Sequence, residues 1–256
     1  MKHAAVLDAR GTQLSPCSPH KARRLVALGR AELVSEDPLA IRLPYVVDLP
    51  KAREDGRAEG LSILVHVCCA PCATYTVKRL RQRGFEVSGF WFNPNVHPYS
   101  EHERRRESLA GYAEEIGLPV IWEPGYEMPA FLQAVVGHEQ YGDRCLLCYR
   151  LRLGRTADVA RKHGFDAITT TLLISPYQDQ AAIRRIGQDL ASAQGVDFFF
   201  ENFRRGFTEH RRLSKEHNLY MQRYCGCIYS EWEANDRQAS TLPQPGRQPG
   251  ISRRRT

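Results

Sequence analysis

Apolar and polar positions alternate in blocks along this chain, and the blocks have two different periods. Leu61 to Val67 is a nearly unbroken apolar run, which reads as a buried strand. Glu86–Phe92, Pro119–Trp122, Asp166–Leu173 and Val196–Phe200 read the same way. Between them the apolar residues recur at helical spacing. This predicts helices over about Cys72–Arg83, Tyr99–Ile116, Met128–Val136, Arg144–His163, Gln178–Gln194 and Thr208–His217. Gly84, Gly117 and Gly164 follow three of these segments, where a helix stop is expected. Strand and helix in alternation predict an α/β fold, a mostly parallel Rossmann-like sheet flanked by helices.

The first 49 residues have a different rhythm. Val6-Leu7-Asp8 reads as a short strand and Arg10-Gly11-Thr12 as a turn. Ser18 or Pro19 opens a helix with Ala22, Leu25, Val26 and Leu28 on one side and Lys21, Arg23 and Arg24 on the other. Glu32 to Val34 and Ile41 to Leu43 read as a hairpin around Asp37-Pro38. We expect a small α+β appendage over 1–49. A charged linker over 50–60 joins it to the main domain at 61–237, and a disordered basic tail fills 238–256.

At 256 residues the chain is long enough for one sizeable domain and a small one. No apolar run approaches the roughly 18–20 residues that span a bilayer, so a cytoplasmic protein without a membrane partner is expected. In a reducing compartment, clustered thiols point to metal or redox chemistry rather than structural disulfides. A net charge of +7 suits a polyanionic partner such as nucleic acid, and equally a solvated basic surface.

Seven of the eight cysteines fall in three places: Cys68-Cys69-x-x-Cys72, Cys145-x-x-Cys148 and Cys225-Gly226-Cys227. The eighth, Cys17, reads as a small packed thiol. Cys68 and Cys69 end the first buried strand, the end at which open α/β sheets bind ligands. Cys145 and Cys148 are three apart at a helix start, so they share a face, and the helix end favours thiolate. Four thiolates from two such places can hold zinc or an iron–sulfur cluster. Adjacent cysteines are awkward chelators of one small ion, and the strand end is a place for chemistry, which favours the cluster. Cys225 and Cys227 read either as further ligands or as a redox dithiol. A disulfide between residues i and i+2 would be strained and easily reduced.

Two resemblances add to this reading. Val-Leu-Asp-x-x-Gly-x-x-Leu-x-Pro-Cys-x-Pro, then Lys-Ala-Arg-Arg-Leu and Asp-Pro-x-x-Ile-x-Leu, within about the first 43 residues, resemble the RRXRR-type domain found before HNH nucleases. That resemblance implies an RNA-contacting module using Lys21, Arg23, Arg24 and Arg30. No HNH motif follows, so no nuclease activity is implied. Residues 61–235 resemble the cobalamin-independent epoxyqueuosine reductase family. The motifs are His-Val-Cys-Cys-Ala-Pro (66–71), Phe-Asn-Pro-Asn (92–95), Glu-His-Glu-Arg-Arg-Arg-Glu (101–107) and Arg-Cys-Leu-Leu-Cys (144–148). Thr-Thr-Leu-Leu-Ile-Ser-Pro (170–176), Phe-Phe-Glu-Asn-Phe-Arg-Arg-Gly (199–206), Arg-Leu-Ser-Lys-Glu (212–216) and Tyr-Cys-Gly-Cys-Ile-Tyr-Ser (224–230) continue the series.

The second resemblance implies a sheet like that of nucleotide α-hydrolase proteins, and an oxidoreductase that converts epoxyqueuosine to queuosine at the wobble position of transfer RNA. By motif, Cys68, Cys69, Cys145 and Cys148 would hold a [4Fe–4S] cluster, and Cys225 and Cys227 would be the redox pair. Cys72 stands outside the four ligands, with a part in an additional iron centre as a further expectation. No electron donor is legible. His66, Tyr224 and Asp143 are candidate proton donors, although His66 reads equally well as a packed strand residue. Arg104–Arg106, Arg204, Arg205, Arg211, Arg212 and Lys215 are candidate phosphate contacts, or else a solvated or intramolecularly ion-paired face. Two alternatives compete. A thiouridine-type enzyme would need a Gly-rich phosphate loop where Cys-Cys-Ala-Pro-Cys stands. A zinc-stabilised transfer-RNA-binding protein would perform no catalysis.

Overall fold

The structure, a computed structural model, describes residues 4–11, 13–44 and 60–241. The expected linker over 50–60 lies outside the described residues apart from Gly60, as does the part of the expected tail beyond Thr241.

The main sheet has five parallel strands in the order β7-β6-β5-β8-β9: β5 (Ser62–His66), β6 (Glu86–Trp91), β7 (Val120–Trp122), β8 (Ala167–Thr170) and β9 (Asp197–Phe198). Ile63, Leu64 and Val65 of β5 are fully buried, as a central strand covered on both faces requires. Helices α2 (Ala70–Gln82), α3 (Tyr99–Glu115) and α7 (Phe207–Glu216) form one packed group. Helices α5 (Asp143–His163) and α6 (Gln180–Ala193) form another, and the short α4 (Met128–Val135) packs on α5. From β5 the connections run outward in opposite directions. Right-handed crossovers therefore place the two groups on opposite faces. The reversal lies between β5 and β8, and a crevice for ligands opens at the carboxyl ends of those two strands.

Three expectations are corrected here. The fourth strand stops at Thr170, whose Oγ1 accepts from Leu172 N at 3.1 Å, and residues 171–174 wind into a 3-10 turn. The last strand keeps two residues, with one more ladder bond from Phe199 N to Ile168 O. Helix α8 (Ile228–Thr241) was not foreseen, and it takes in residues 238–241 of the expected tail.

In the N-terminal part, β1 (Ala4–Leu7), β2 (Gln13–Cys17), β3 (Glu32–Glu36) and β4 (Leu39–Arg42) form a separate sheet in the order β2-β1-β4-β3. Helix α1 (Pro19–Ala27) starts on Ser18, whose Oγ accepts from Lys21 N. Ala4, Val6, Cys17, Ala22 and Ile41 make its small core, so Cys17 is a packed thiol. β3 and β4 pair antiparallel as the expected hairpin; β2, which holds Pro16, was not expected. Among the described residues, no helix is long and apolar enough to cross a membrane.

Candidate metal centre

β5 delivers its chain directly into the crevice. Beyond His66 and Val67, the backbone turns into α2 at Cys69, whose Sγ accepts from Cys72 N at 3.4 Å and caps the helix. Pro71 fits the first turn because no intrahelical donor is needed there. This turn gathers the thiols of Cys68, Cys69 and Cys72, all buried, within 4.8 Å of one another. The Sγ atoms of Cys68 and Cys69 are 3.7 Å apart. From the far side of the switch point, Thr171 Oγ1 donates to Cys68 Sγ at 3.2 Å and accepts from Cys68 N at 3.1 Å. Gln222 Nε2 donates to Cys69 Sγ at 3.0 Å. Hydrogen bonds from Cys69 and Cys72, with Arg152 and Thr171 nearby, hold Cys68 well below the usual thiol range; burial pushes Cys69 up. Among the described residues this is the one place where three metal-ligating side chains come so close, and no separate set for an additional iron stands out.

The other thiols form a second group. Cys148 and Cys227 are buried together with Phe131 and Val135, while Cys145 is half-buried one turn earlier on α5. Burial raises both Cys145 and Cys148, and Cys227 adds to it through its charge. Cys225 is exposed and accepts from Gln178 Nε2 at 3.4 Å.

One guanidinium links the two groups. Arg152 is 1% exposed. It donates to Cys148 Sγ at 3.6 Å, to His66 Nε2 at 3.1 Å and to Asn93 Oδ1 at 2.8 Å. Its charge also acts on Cys68 and Cys225. Among the described residues no carboxylate pairs with it. A buried cation of this kind needs anionic neighbours, and the nearest candidates are sulfurs.

Nε2 of His66 faces both the Arg152 donor at 3.1 Å and the Phe92 carbonyl at 3.3 Å; the shorter, charged contact assigns Nε2 as acceptor, so the ring proton sits on Nδ1 and is donated to Thr170 Oγ1 at 2.9 Å. Burial, and then Arg152, pushes His66 down to about 3, and the ring stays neutral at physiological pH. It is the packed strand residue of the two readings. Tyr224 donates its hydroxyl to His97 O, and burial raises it. Asp143 is exposed in the first turn of α5, and among the described residues no hydrogen bond joins it to a thiol.

The segment carrying Cys225 and Cys227 is held from α3. Arg105, also 1% exposed, donates to Cys225 O at 2.9 Å, to Tyr224 O at 3.1 Å and to Glu101 Oε1 at 2.7 Å. Tyr220 Oη donates to the other oxygen of Glu101. His97 N donates to Gly226 O at 2.8 Å. Gly226 sits at φ +148°, and a Cβ there would lie 3.1 Å from Asn95 Nδ2 and 3.4 Å from Arg105 Nη1. Glycine is therefore required between the two thiols.

Arg105 is thus an internal clamp rather than the expected phosphate contact. Arg104 lies over the Tyr220 ring, and Arg106 pairs with Glu103 and lies over Trp122. Arg204 donates to the carbonyls of Ser175 and Gln178, and Arg212 pairs with Glu216. Arg211 and Lys215 remain exposed. Sequence reasoning missed Arg152, Gln178 and Gln222. Only Arg152 left a signal, four residues beyond Cys148 and so on the same helix face.

Against known families, residues 63–233 match the family model described as epoxyqueuosine reductase QueH, and residues 4–56 match that of the RRXRR protein. An epoxyqueuosine reductase QueH of Dehalococcoides mccartyi is 38% identical over 171 residues, covering 67% of this chain and 93% of that protein. The Thermotoga maritima protein of the same name is 39% identical over 192 residues, covering 72% and 98%. Among solved structures, the U34-tRNA thiolase NcsA of Methanococcus maripaludis with its [4Fe-4S] cluster overlaps with a TM-score of 0.46 at 12% identity. It covers 73% of this chain and 68% of that one, and an overlap so low supports nothing about function.

Proposed function

The chain belongs to the epoxyqueuosine reductase QueH family, and we infer that it is an oxidoreductase that reduces epoxyqueuosine in transfer RNA to queuosine. The observation that carries this reading is the position of the thiols. The family match spans all three cysteine motifs, and Cys68, Cys69 and Cys72 lie at the ligand-binding edge of the sheet.

The donor set fits a thiolate-held metal group. Soft sulfur ligands select iron–sulfur clusters or zinc. The uncompensated guanidinium of Arg152 favours a net negative centre, and the buried Gln222 Oε1 is unpartnered among the described residues. We assign Cys68, Cys69, Cys145 and Cys148 as the residues that would hold a [4Fe–4S] cluster. Arg152 supports that pairing, because its charge bears on both Cys68 and Cys148. Such a cluster, when bound, supplies an iron that polarises the epoxide oxygen and a path for electrons.

The chain's own residues do the rest. Conversion of an epoxide to an alkene with loss of water takes two electrons and two protons. Cys225 and Cys227 supply both as two S–H bonds break and one S–S bond forms. Cys225, exposed, meets the substrate, and Cys227, buried, closes the disulfide. Arg105 and the tight turn at Gly226 hold the backbone between the two thiols. The N-terminal unit we read as an RNA-contacting module, with Lys21, Arg23 and Arg24 exposed along α1.

The test is anaerobic purification, iron and sulfide analysis, and turnover of epoxyqueuosine-containing transfer RNA. Brown protein, iron loss in Cys145→Ser but not in Cys72→Ser, and turnover abolished in Cys225→Ser are the expected results. A colourless zinc protein without turnover would establish the binding-protein alternative instead.

A further inference from the structure

Large apolar side chains on a protein surface are ordinary when scattered and informative when they gather. Several gather around the exposed thiol. Tyr177, 77% exposed, precedes Gln178, whose amide donates to Cys225 Sγ. Tyr141, 66% exposed, donates its hydroxyl to the carbonyl of Tyr177 at 3.0 Å. Ile228 follows Cys227 directly, and Trp232, 66% exposed, stands one turn further along α8.

The frame beneath is rigid. Gln178 Oε1 accepts from Tyr149 Oη at 2.9 Å, so the amide that touches Cys225 is fixed at both ends. Arg204 donates to the carbonyls of Ser175 and Gln178, on either side of Tyr177. Arg144 lies over the rings of Tyr141 and Tyr229 and pairs through both oxygens with Glu233, which ties the start of α5 to α8. Hydrogen bonds from Tyr141 and Arg204 thus fix the backbone that carries Tyr177, and Arg144 lies against the Tyr141 ring. Apolar packing gains nothing from such an arrangement, whereas a flat ligand entering from solvent does. Arg223, exposed and without a carboxylate partner among the described residues, lies two positions before Cys225 and offers a positive charge at the same rim.

Exposed aromatic side chains on a held backbone, beside a guanidinium without a carboxylate partner among the described residues, suit unpaired bases of RNA, which stack on rings while their phosphates meet the charge. Resting on the reading given above, we propose that Tyr177, braced by Tyr141, stacks the nucleobase presented to Cys225, and that Trp232 stacks a neighbouring unpaired base. Tyr177 is then a substrate-positioning residue, and the platform selects single-stranded over duplex RNA.

The experiment uses the full-length, metal-loaded protein with two probes: an anticodon stem–loop RNA and a duplex of the same length. Loss of one stacked base weakens binding by roughly 5- to 150-fold. Tyr177→Ala is expected to lose affinity for the stem–loop within that range, and Tyr177→Phe to keep it. Affinity for the duplex should be the same in all three proteins. Trp232 fluorescence should be quenched by the stem–loop, with the change absent in Trp232→Phe. Circular dichroism identical to wild type shows that Tyr177→Ala folds. Equal stem–loop affinity in wild type and Tyr177→Ala, with turnover of the modified transfer RNA intact in wild type, overturns the platform and leaves the reductase reading standing. A wild-type protein that neither binds the stem–loop nor turns over the modified transfer RNA overturns both.

Discussion

Arg152→Met asks whether the sulfurs around Arg152 carry charge. The side chain is buried, has no carboxylate partner among the described residues, and gives its donors to Cys148 Sγ, His66 Nε2 and Asn93 Oδ1. Methionine keeps most of its length and removes the charge. If Cys68 and Cys148 are thiolate ligands, the substitution leaves buried negative charge uncompensated, which costs about 3–5 kcal/mol. In a domain of this size, 1 kcal/mol moves the melting midpoint by about 2–4 °C. Even the lower cost implies a fall of about 6–12 °C in the metal-loaded protein. If the sulfurs are neutral, the substitution instead relieves the burial cost of a lone cation, several kcal/mol by order of magnitude, and this offsets about 1–3 kcal/mol for each acceptor left unpaired at His66 Nε2 and Asn93 Oδ1, so the midpoint does not fall. The assay is thermal unfolding under anaerobic conditions, followed by circular dichroism. An unchanged or raised midpoint for Arg152→Met would refute the anionic centre.

Two further predictions concern the surroundings. Arg105→Met should destabilise the fold by about 3 kcal/mol, because Glu101 is left buried without its ion pair, and it should speed the reaction of Cys225 with thiol reagents by freeing the segment. Adding Glu101→Gln should restore much of the stability while leaving Cys225 overreactive; urea titration and alkylation kinetics measure the two effects. His210 is buried, its Nδ1–H donates to Pro71 O at 2.6 Å, and burial lowers its pKa. The unfolded chain therefore takes up a proton near pH 6.5 while the folded one resists it, so stability falls as pH drops below that value. His210→Asn should show a shallower loss in urea midpoints measured from pH 7.5 down to 5.5.

The sheet was legible because its central strands, β5 and β8, are buried along almost their whole length, and β5 reads as an apolar run without a competing period. Boundaries failed where side chains overrule propensity. Thr170 turns its hydroxyl back on its own backbone and ends β8, although Leu172 and Leu173 would extend a strand just as well. Helix α8 escaped notice because its polar residues lack a strong apolar stripe; Arg144 anchors it from another element through Glu233. The cysteine motifs disclosed the chemistry. Chain adjacency put Cys72 beside Cys68 and Cys69, whereas motif reasoning set it apart. Arg105 and Arg152 are among the most buried side chains, because most of their hydrogen-bond partners lie 59 or more residues away in sequence, and arginine by type reads as a surface residue.

Cys69 belongs to two structures at once. Its sulfur caps α2 by accepting the backbone N–H of Cys72, and it also stands in the proposed ligand set. Backbone hydrogen bonds to a ligand sulfur withdraw electron density from it and raise the reduction potential of the group it holds. With Cys69 as a ligand, the first turn of α2 would be part of the redox tuning of the centre. A substitution that loosens that turn without touching any cysteine, such as Thr76→Gly, which also removes the hydroxyl bond to Cys72 O, would shift the poise of the enzyme from within its own secondary structure.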